Sequence, residues 1–293
     1  MNQALLLTFV LSPVALADSW IVATDGSGDY LTIGEAVTAA SSGDEIRVRA
    51  GTYPEVINLQ GLDLTIRRDA VSDVVVIDGL MSKRCVVADS MESSATSFIG
   101  LIFRDGDTSG QGGCVYISNA SPSFTQCTFD GCESLGGGGG VFVSNGSPSF
   151  TDCVWMECAG EDGGGLRVED GSGASVVNID DSRFASNYAS DGEAISSSAS
   201  TPPIVTGTVM CDHYQGYEVE GVIIDGGQNE WGTWCCRGDV DWDGDVDTND
   251  LLLQVTAFGN ALISGDDRED VTRDEVVDLE DLLLLLAHWG SCV

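Results

Sequence analysis

Basic residues are scarce in this chain. Twelve Lys and Arg stand against 47 Asp and Glu over 293 residues, the formal charge is −35, and Lys83 is the only lysine. A surface that acidic repels phosphate backbones and anionic headgroups, so nucleic acid and acidic lipid are poor partners. It suits cation binding or salty surroundings. Proline is also scarce, at six, while glycine reaches 37. That balance argues against a disordered proline-rich chain and for many tight corners between ordered elements. Long apolar runs are missing too. Leu282 to Leu286 is a five-residue run flanked by acids, too short to span a bilayer. At 43% hydrophobic, the chain can still bury a sizeable core and a second small domain.

Residues 1–17 read as a secretory signal. Leu5, Leu6, Leu7, Phe9, Val10 and Leu11 form a short apolar core, and Ala15-Leu16-Ala17 offers small residues for cleavage before Asp18. The expected address is secreted, extracellular or at the cell surface, where ten cysteines can pair.

A 26-residue repeat sets the fold class. Val115-Tyr116-Ile117-Ser118-Asn119-Ala120-Ser121-Pro122-Ser123-Phe124-Thr125-Gln126-Cys127 returns as Val141-Phe142-Val143-Ser144-Asn145-Gly146-Ser147-Pro148-Ser149-Phe150-Thr151-Asp152-Cys153. Phe129 then matches Trp155, and Cys132 matches Cys158. A looser third copy runs through Leu166-Arg167-Val168 and Ile179 to Phe184. Each copy holds short alternating strands between Gly, Ser and Asn turns. One copy cannot bury its own inward face, but a stack can. The expected architecture is mainly β, a right-handed parallel β-helix over residues 18–234. Equivalent residues then stack at about 4.8 Å. Phe124 over Phe150 and Cys127 over Cys153 become ladders. The cysteine ladder reads as buried thiols, with a disulfide sterically open as the alternative. Thr32-Ile33-Gly34-Glu35 is a capping box, and Ile33, Ala36, Val37 and Ala40 share one helical face. A short helix there is expected to cover the open end of the stack.

The run Val22-Ala23-Thr24-Asp25-Gly26-Ser27-Gly28-Asp29-Tyr30-Leu31-Thr32-Ile33, with Ala36-Val37 and Ala50-Gly51-Thr52-Tyr53-Pro54-Glu55, resembles the N-terminal edge of the pectin lyase-like right-handed β-helix superfamily. It is similar there to pectin methylesterases, and the repeats are similar to glycine-rich repeats of secreted bacterial β-helices. The resemblance covers roughly residues 20–232 and bears on fold more than on chemistry.

Residues 237–293 change character, with 15 acids against three arginines. Asp239, Asp241, Asp243, Asp245, Asp247 and Asp250 occupy positions 1, 3, 5, 7, 9 and 12 of a twelve-residue loop with Gly244 at position 6. Calcium takes six to eight oxygens, and alternate residues of a curled loop supply them. A second copy places Asp270, Thr272, Asp274, Val276, Asp278 and Asp281 at the same positions, with Glu275 in place of the glycine. Position 7 gives its backbone carbonyl, here from Asp245 and Val276. Apolar helices follow both loops, and their leucine faces are expected to meet. The pair resembles the type I dockerin repeat, with an ordinary EF-hand pair as the closer rival. The resemblance implies bound Ca2+ and a cohesin-like protein or cell-surface scaffold as partner.

For catalysis, the nearest constellation is Asp180, Asp181 and Arg183, with Asp152 one repeat above Asp181. Paired carboxylates at such spacing suit acid–base work on a glycosidic bond. The chain departs from the related enzymes: it has no Gly-His-Gly, Arg-x-Lys or Asn-Thr-Asp, and the esterase Gly-x-Gln-Ala and Asp-Phe-x-Phe-Gly motifs are missing. His213, alone in the solenoid, reads as a packed or surface residue, and Gly136 to Gly140 as a turn. The reading that follows is a secreted solenoid that binds extended polysaccharide and is attached through a calcium-dependent module. A polysaccharide-active hydrolase, lyase or esterase is the main alternative, and an adhesive surface protein the third.

Overall fold

The structure is a computed structural model that describes residues 17–169, 176–211, 213, 218–231, 240, 245–258, 276–287 and 289–291. Of the expected signal segment, residues 1–17, all but Ala17 therefore lies outside the described residues.

From Glu45 to Trp231 the chain visits three parallel sheets in strict rotation. Glu45–Val48 enters sheet A, Gly51–Tyr53 sheet B and Ile57–Asn58 sheet C. Thr65–Arg68 then returns to sheet A. Sheet A reaches nine strands, sheet B eight and sheet C seven. This is a parallel β-helix, as the repeat implied. The repeats align in register: Val115 pairs with Val141, Phe124 with Phe150 and Phe129 with Trp155. In the third copy Ser144 pairs with Glu169 and Ser149 with Asn178, so the segment joining these two strands is longer than in the copy before. Extra chain between coils is thus absorbed outside the strands, and the inward pattern is kept.

Inside, period-two alternation builds columns. Phe98, Phe124 and Phe150 stack from sheet A, with centroids 4.9 and 5.1 Å apart. Phe103, Phe129, Trp155 and Phe184 stack from sheet B at 5.5, 4.9 and 4.3 Å. The columns meet edge-on, Phe124 to Phe129 at 5.7 Å. All seven rings are buried, and each such side chain contributes about 1.5–3 kcal/mol of hydrophobic stabilisation.

Cys127 and Cys153 are free buried thiols, as the ladder reading expected, and burial holds the Cys153 thiol above its ordinary range. Cys132 departs from it. Rather than stacking as a thiol over Cys158, it forms a disulfide with Cys114, Cα–Cα 5.4 Å. Cys114 precedes the sheet C strand Val115–Ser118, and Cys132 follows the sheet B strand Thr128–Asp130. The bond therefore closes a single coil into a ring, a contact within one turn that a rung-to-rung reading misses. Constraining a loop of that length stabilises by about 3 kcal/mol. Cys211 is also disulfide-bonded, to a partner outside the described residues.

Helix α1 is Ile33–Ala39, with the expected capping box at Thr32 and Glu35. It buries Ile33, Ala36 and Val37 against the strands Ser19–Val22, Glu45–Val48 and Ile57–Asn58. In the tail, helices α2 (Thr248–Ala257) and α3 (Leu279–Ala287) pack against each other. Val240, Val246 and Leu285, with Leu251 and Leu284, form a small separate core. The leucine faces meet only in part: Leu252, Leu253, Leu279, Leu283 and Leu286 are exposed. Among the described residues no helix is long and apolar enough to cross a membrane.

Candidate functional site

On five successive coils, one residue between the sheet A strand and the sheet B strand that follows turns the corner in the left-handed region. These residues are Gly100, Gln126, Asp152, Asp181 and Gly207, with φ from 48° to 68°. The register of sheet A stacks them: Thr125 pairs with Thr151, and Thr151 with Asp180. Corner backbones are linked in turn, Asp152 N donating to Asp180 O at 3.0 Å and Asp181 N to Thr206 O at 2.9 Å. A left-handed corner has few backbone tolerances, and short polar side chains suit it better than branched ones. It also turns those side chains outward. The result is a straight row running along the solenoid, one residue per coil.

The row is joined by side-chain hydrogen bonds. Gln126 Nε2 donates to Asp152 Oδ2 at 3.0 Å, and Arg68 Nη2 donates to Gln126 Oε1 at 3.2 Å. Arg68 stands one coil before Gly100, so its side chain crosses the Gly100 rung to reach Gln126. A Cβ on Gly100 would collide with the guanidinium. At the other end, the Asp181 carboxylate lies over Gly207, where a Cβ would strike it. Asp152 and Asp181 are both exposed. Their carboxylates are drawn apart, one toward Gln126 and the other toward Gly207, on corners roughly 4.8 Å apart at the backbone.

The structure thus sets Asp152 and Asp181 on one row and Asp180 just beside it, on the outward column of sheet A between Thr151 and Thr206. Arg183 lies round the corner on sheet B, between Val154 and Val209, and does not share that face. Sequence reasoning missed Gln126 and Arg68. Gln126 was within reach, because it holds the same repeat position as Asp152. Arg68 was not: it precedes the near-identical copies, neither of which carries an arginine at a matching place.

Two other expectations stand on turn geometry. Asn119 and Asn145 take left-handed corners, φ 54° and 52°. Gly137 and Gly138 in the glycine run have φ 97° and 65°. His213 is half-buried, and its Nδ1 accepts the Asn187 backbone N–H at 3.2 Å. Burial lowers its pKa to about 4, so it is a neutral packing residue at pH 7.

In the tail, Asp239, Asp241, Asp243, Asp270, Thr272 and Asp274 lie outside the described residues. Val276 is exposed beside buried Val277, and Asp245 opens the two-residue strand Asp245–Val246, paired antiparallel with Gly290–Ser291. The other positions behave alike in the two copies. Asp250 Oδ2 accepts the Asp247 N–H and Asp281 Oδ2 accepts the Asp278 N–H, each at 2.7 Å. Asp247 and Asp278 in turn each accept an N–H two residues on, from Asn249 and Glu280. Asp250 and Asp281 are wholly buried. Carboxylates are the hard oxygen donors that calcium takes, so the residue types at these positions fit that ion. Among the described residues alone, no three such side chains converge.

No family model matches the chain, and no curated protein matches it. Solved structures do. Pectin methylesterase PemA from Erwinia chrysanthemi is 14% identical over 75% of this chain and 72% of its own, with a TM-score of 0.48. The carrot pectin methylesterase is 15% identical over 76% and 84%, TM-score 0.41. The Aspergillus niger enzyme is 17% identical over 75% and 91%, TM-score 0.42. At these identities and TM-scores the likeness carries no argument about chemistry, which rests on this chain's own residues.

Proposed function

We propose that this is a secreted, polysaccharide-active β-helix enzyme that binds an extended glycan along sheet A and cleaves it at the corner row. The observation that carries the reading is the row itself: two exposed carboxylates on adjacent coils, one held by an amide that is itself held by a guanidinium. Carboxyl pairs about 5–5.5 Å apart act as nucleophile and acid, while pairs about 6.5–9.5 Å apart admit a water between them. Asp152 and Asp181 lean apart, which favours the second arrangement. Asp152, already accepting an N–H, takes the proton of the attacking water. Asp181 gives its proton to the leaving oxygen. Asp180 lines the approach. The outward columns Ser97, Ser123, Ser149 and Thr125, Thr151 offer hydroxyls to the sugars. In this reading α1 closes the first coil, and the solenoid winds right-handed, the sense parallel crossovers favour.

The tail attaches the enzyme to a cohesin-like protein or surface scaffold. Asp239, Asp241, Asp243, Asp245, Asp247 and Asp250, and their counterparts from Asp270 to Asp281, would hold calcium. The ion would supply positive charge to two acidic loops that otherwise repel themselves. Exposed Leu252, Leu283 and Leu286 support a docking role for the helix pair.

The test is release of reducing ends from a panel of plant and algal polysaccharides. Asp152→Asn and Asp181→Asn should each lower kcat by about 10²–10⁴-fold with the fold intact. Glycan binding without turnover, unchanged by either substitution, would leave a binding module instead.

A further inference from the structure

The basic residues of this protein are few, and they are not scattered. Four of the twelve, Arg47, Arg49, Arg67 and Arg68, cluster on two successive coils. The register of sheet A places Arg47 and Arg67 on adjacent rungs of one outward column. That column continues through Ile99, Thr125, Thr151, Asp180 and Thr206. The face therefore runs from cationic, through neutral hydroxyls, to anionic at Asp152, Asp180 and Asp181.

Most of the cationic end is compensated. Arg47 and Arg49 share Asp69, and Arg67 pairs with Glu45, Nε to Oε1 2.6 Å. Arg68 differs. Among the described residues its guanidinium makes one hydrogen bond, to the neutral Gln126 amide, and no ion pair. Lys83 and Arg84 also lack an acid partner among the described residues, but they donate to backbone carbonyls, whereas Arg68 donates to a side-chain amide on the row. The half-buried Arg68 side chain passes over Gly100, in line with the row, and only its hydrogen bond to Gln126 ties the guanidinium among the described residues. An arginine in that setting presents a planar fork to a carboxylate or a sulfate ester.

We infer that Arg68 and the Gly100 rung form an anion-reading subsite, which takes a carboxylate or sulfate ester on the glycan. This rests on the polysaccharide reading but not on cleavage. The Gly100 corner lies about two rungs, roughly 10 Å, from the Asp152 corner, with the Gln126 amide between the guanidinium and the carboxylate. The anionic group and the scissile bond then belong to different sugar units. The face so fixes which way the glycan lies: charged unit at Arg68, reacting unit at the carboxylates, which would repel a second charge there. A uniformly charged polymer is disfavoured, and a sparsely charged one is selected.

The experiment is binding of three oligosaccharides of equal length to the full chain at low ionic strength. One carries uronate carboxylates, one carries sulfate esters, and one is uncharged. Arg68→Gln should weaken binding of at least one charged oligomer by about tenfold and leave the neutral one unchanged. The oligomer affected identifies the substituent. Lys83→Gln removes the same charge away from the row and should change nothing; an equal loss there would show a net-charge effect and overturn the subsite. So would Arg68→Gln binding both charged oligomers like the wild type, or a wild type that prefers neither to the neutral one. Asp181→Asn should lower turnover by about 10²–10⁴-fold but keep the Arg68-dependent binding. Such binding without any turnover would remove the cleavage reading and leave the subsite standing.

Discussion

At the scale of single residues, the solenoid is stabilised by side chains that recur at one position and stack on themselves. Phe150 is the clearest case. It is fully buried, stacks on Phe124 at 5.1 Å, and meets Trp155 edge-on at 5.1 Å. Truncating it leaves a cavity between two coils that the parallel ladders hold at fixed spacing, so the walls cannot collapse inward. Phe150→Ala should cost about 3–5 kcal/mol in denaturant unfolding. A loss below about 1 kcal/mol would mean that the column is not packed as described. The same logic separates core positions from corner positions. A core ring is fixed by its neighbours above and below, whereas the backbone conformation at Gln126, Asp152 and Asp181 sets their side chains on the exposed row.

At the scale of elements, strand identity and register were legible because the two near-identical copies each repeat the order Val-x-Val or Val-x-Ile, Phe-x-x-Cys and Phe or Trp. The α1 capping box was legible because Thr32 and Glu35 satisfy free N–H groups locally. Contacts that close a coil upon itself were not. Cys114 and Cys132 are separated by 18 in sequence, a distance unrelated to the repeat. Arg68 was hidden for a related reason, since no repeat position announces it. The candidate site was half legible: Asp152 and Asp181 follow from the repeat, but their divergence and the amide that holds one of them depend on side-chain geometry. Helices α2 and α3 pose a different case. Each begins at an aspartate cap and carries a buried aspartate three residues on. Backbone N–H groups offset part of the cost of burying these two carboxylates, and a cation would offset their charge. Adding calcium to chelator-treated protein should therefore raise helical circular dichroism and add a thermal transition that Asp250→Ala removes. Identical spectra with calcium and with chelator would sink the metal reading of the tail.

At the scale of the whole molecule, charge opposes the fold. Among 47 acids and 12 bases, a handful of ion pairs such as Arg67–Glu45 cannot offset the mutual repulsion of the remaining carboxylates. Screening shortens that repulsion from a reach of about 10 Å at 0.1 M salt to about 3 Å at 1 M. The melting temperature at pH 7 should therefore rise with sodium chloride. A fall would mean that the surface ion pairs outweigh the repulsion. Acid acts in two directions, and salt separates them. Protonating surface carboxylates relieves repulsion, so the gain from salt should shrink as the pH approaches 4. Local groups pull the other way. The Ser41 N–H holds Asp44 below the usual carboxylate range, and the Arg67 hydrogen bond does the same for Glu45. Their contribution is present above the ordinary carboxylate values and lost as pH falls through the depressed ones. His213, lowered to about 4 by burial, favours the fold above about 6.5 and loses that contribution as pH falls toward 4. Burial raises Asp130, whose effect has the opposite sign. At 1 M salt only these local terms remain, so stability should decline steadily from pH 7 to pH 4. His213→Gln should flatten the part of that decline between about pH 6.5 and 4 while leaving the steeper carboxylate loss below it. A high-salt profile that is level across this range, in the wild type and the variant alike, would show that His213 is open to water and not packed against Asn187.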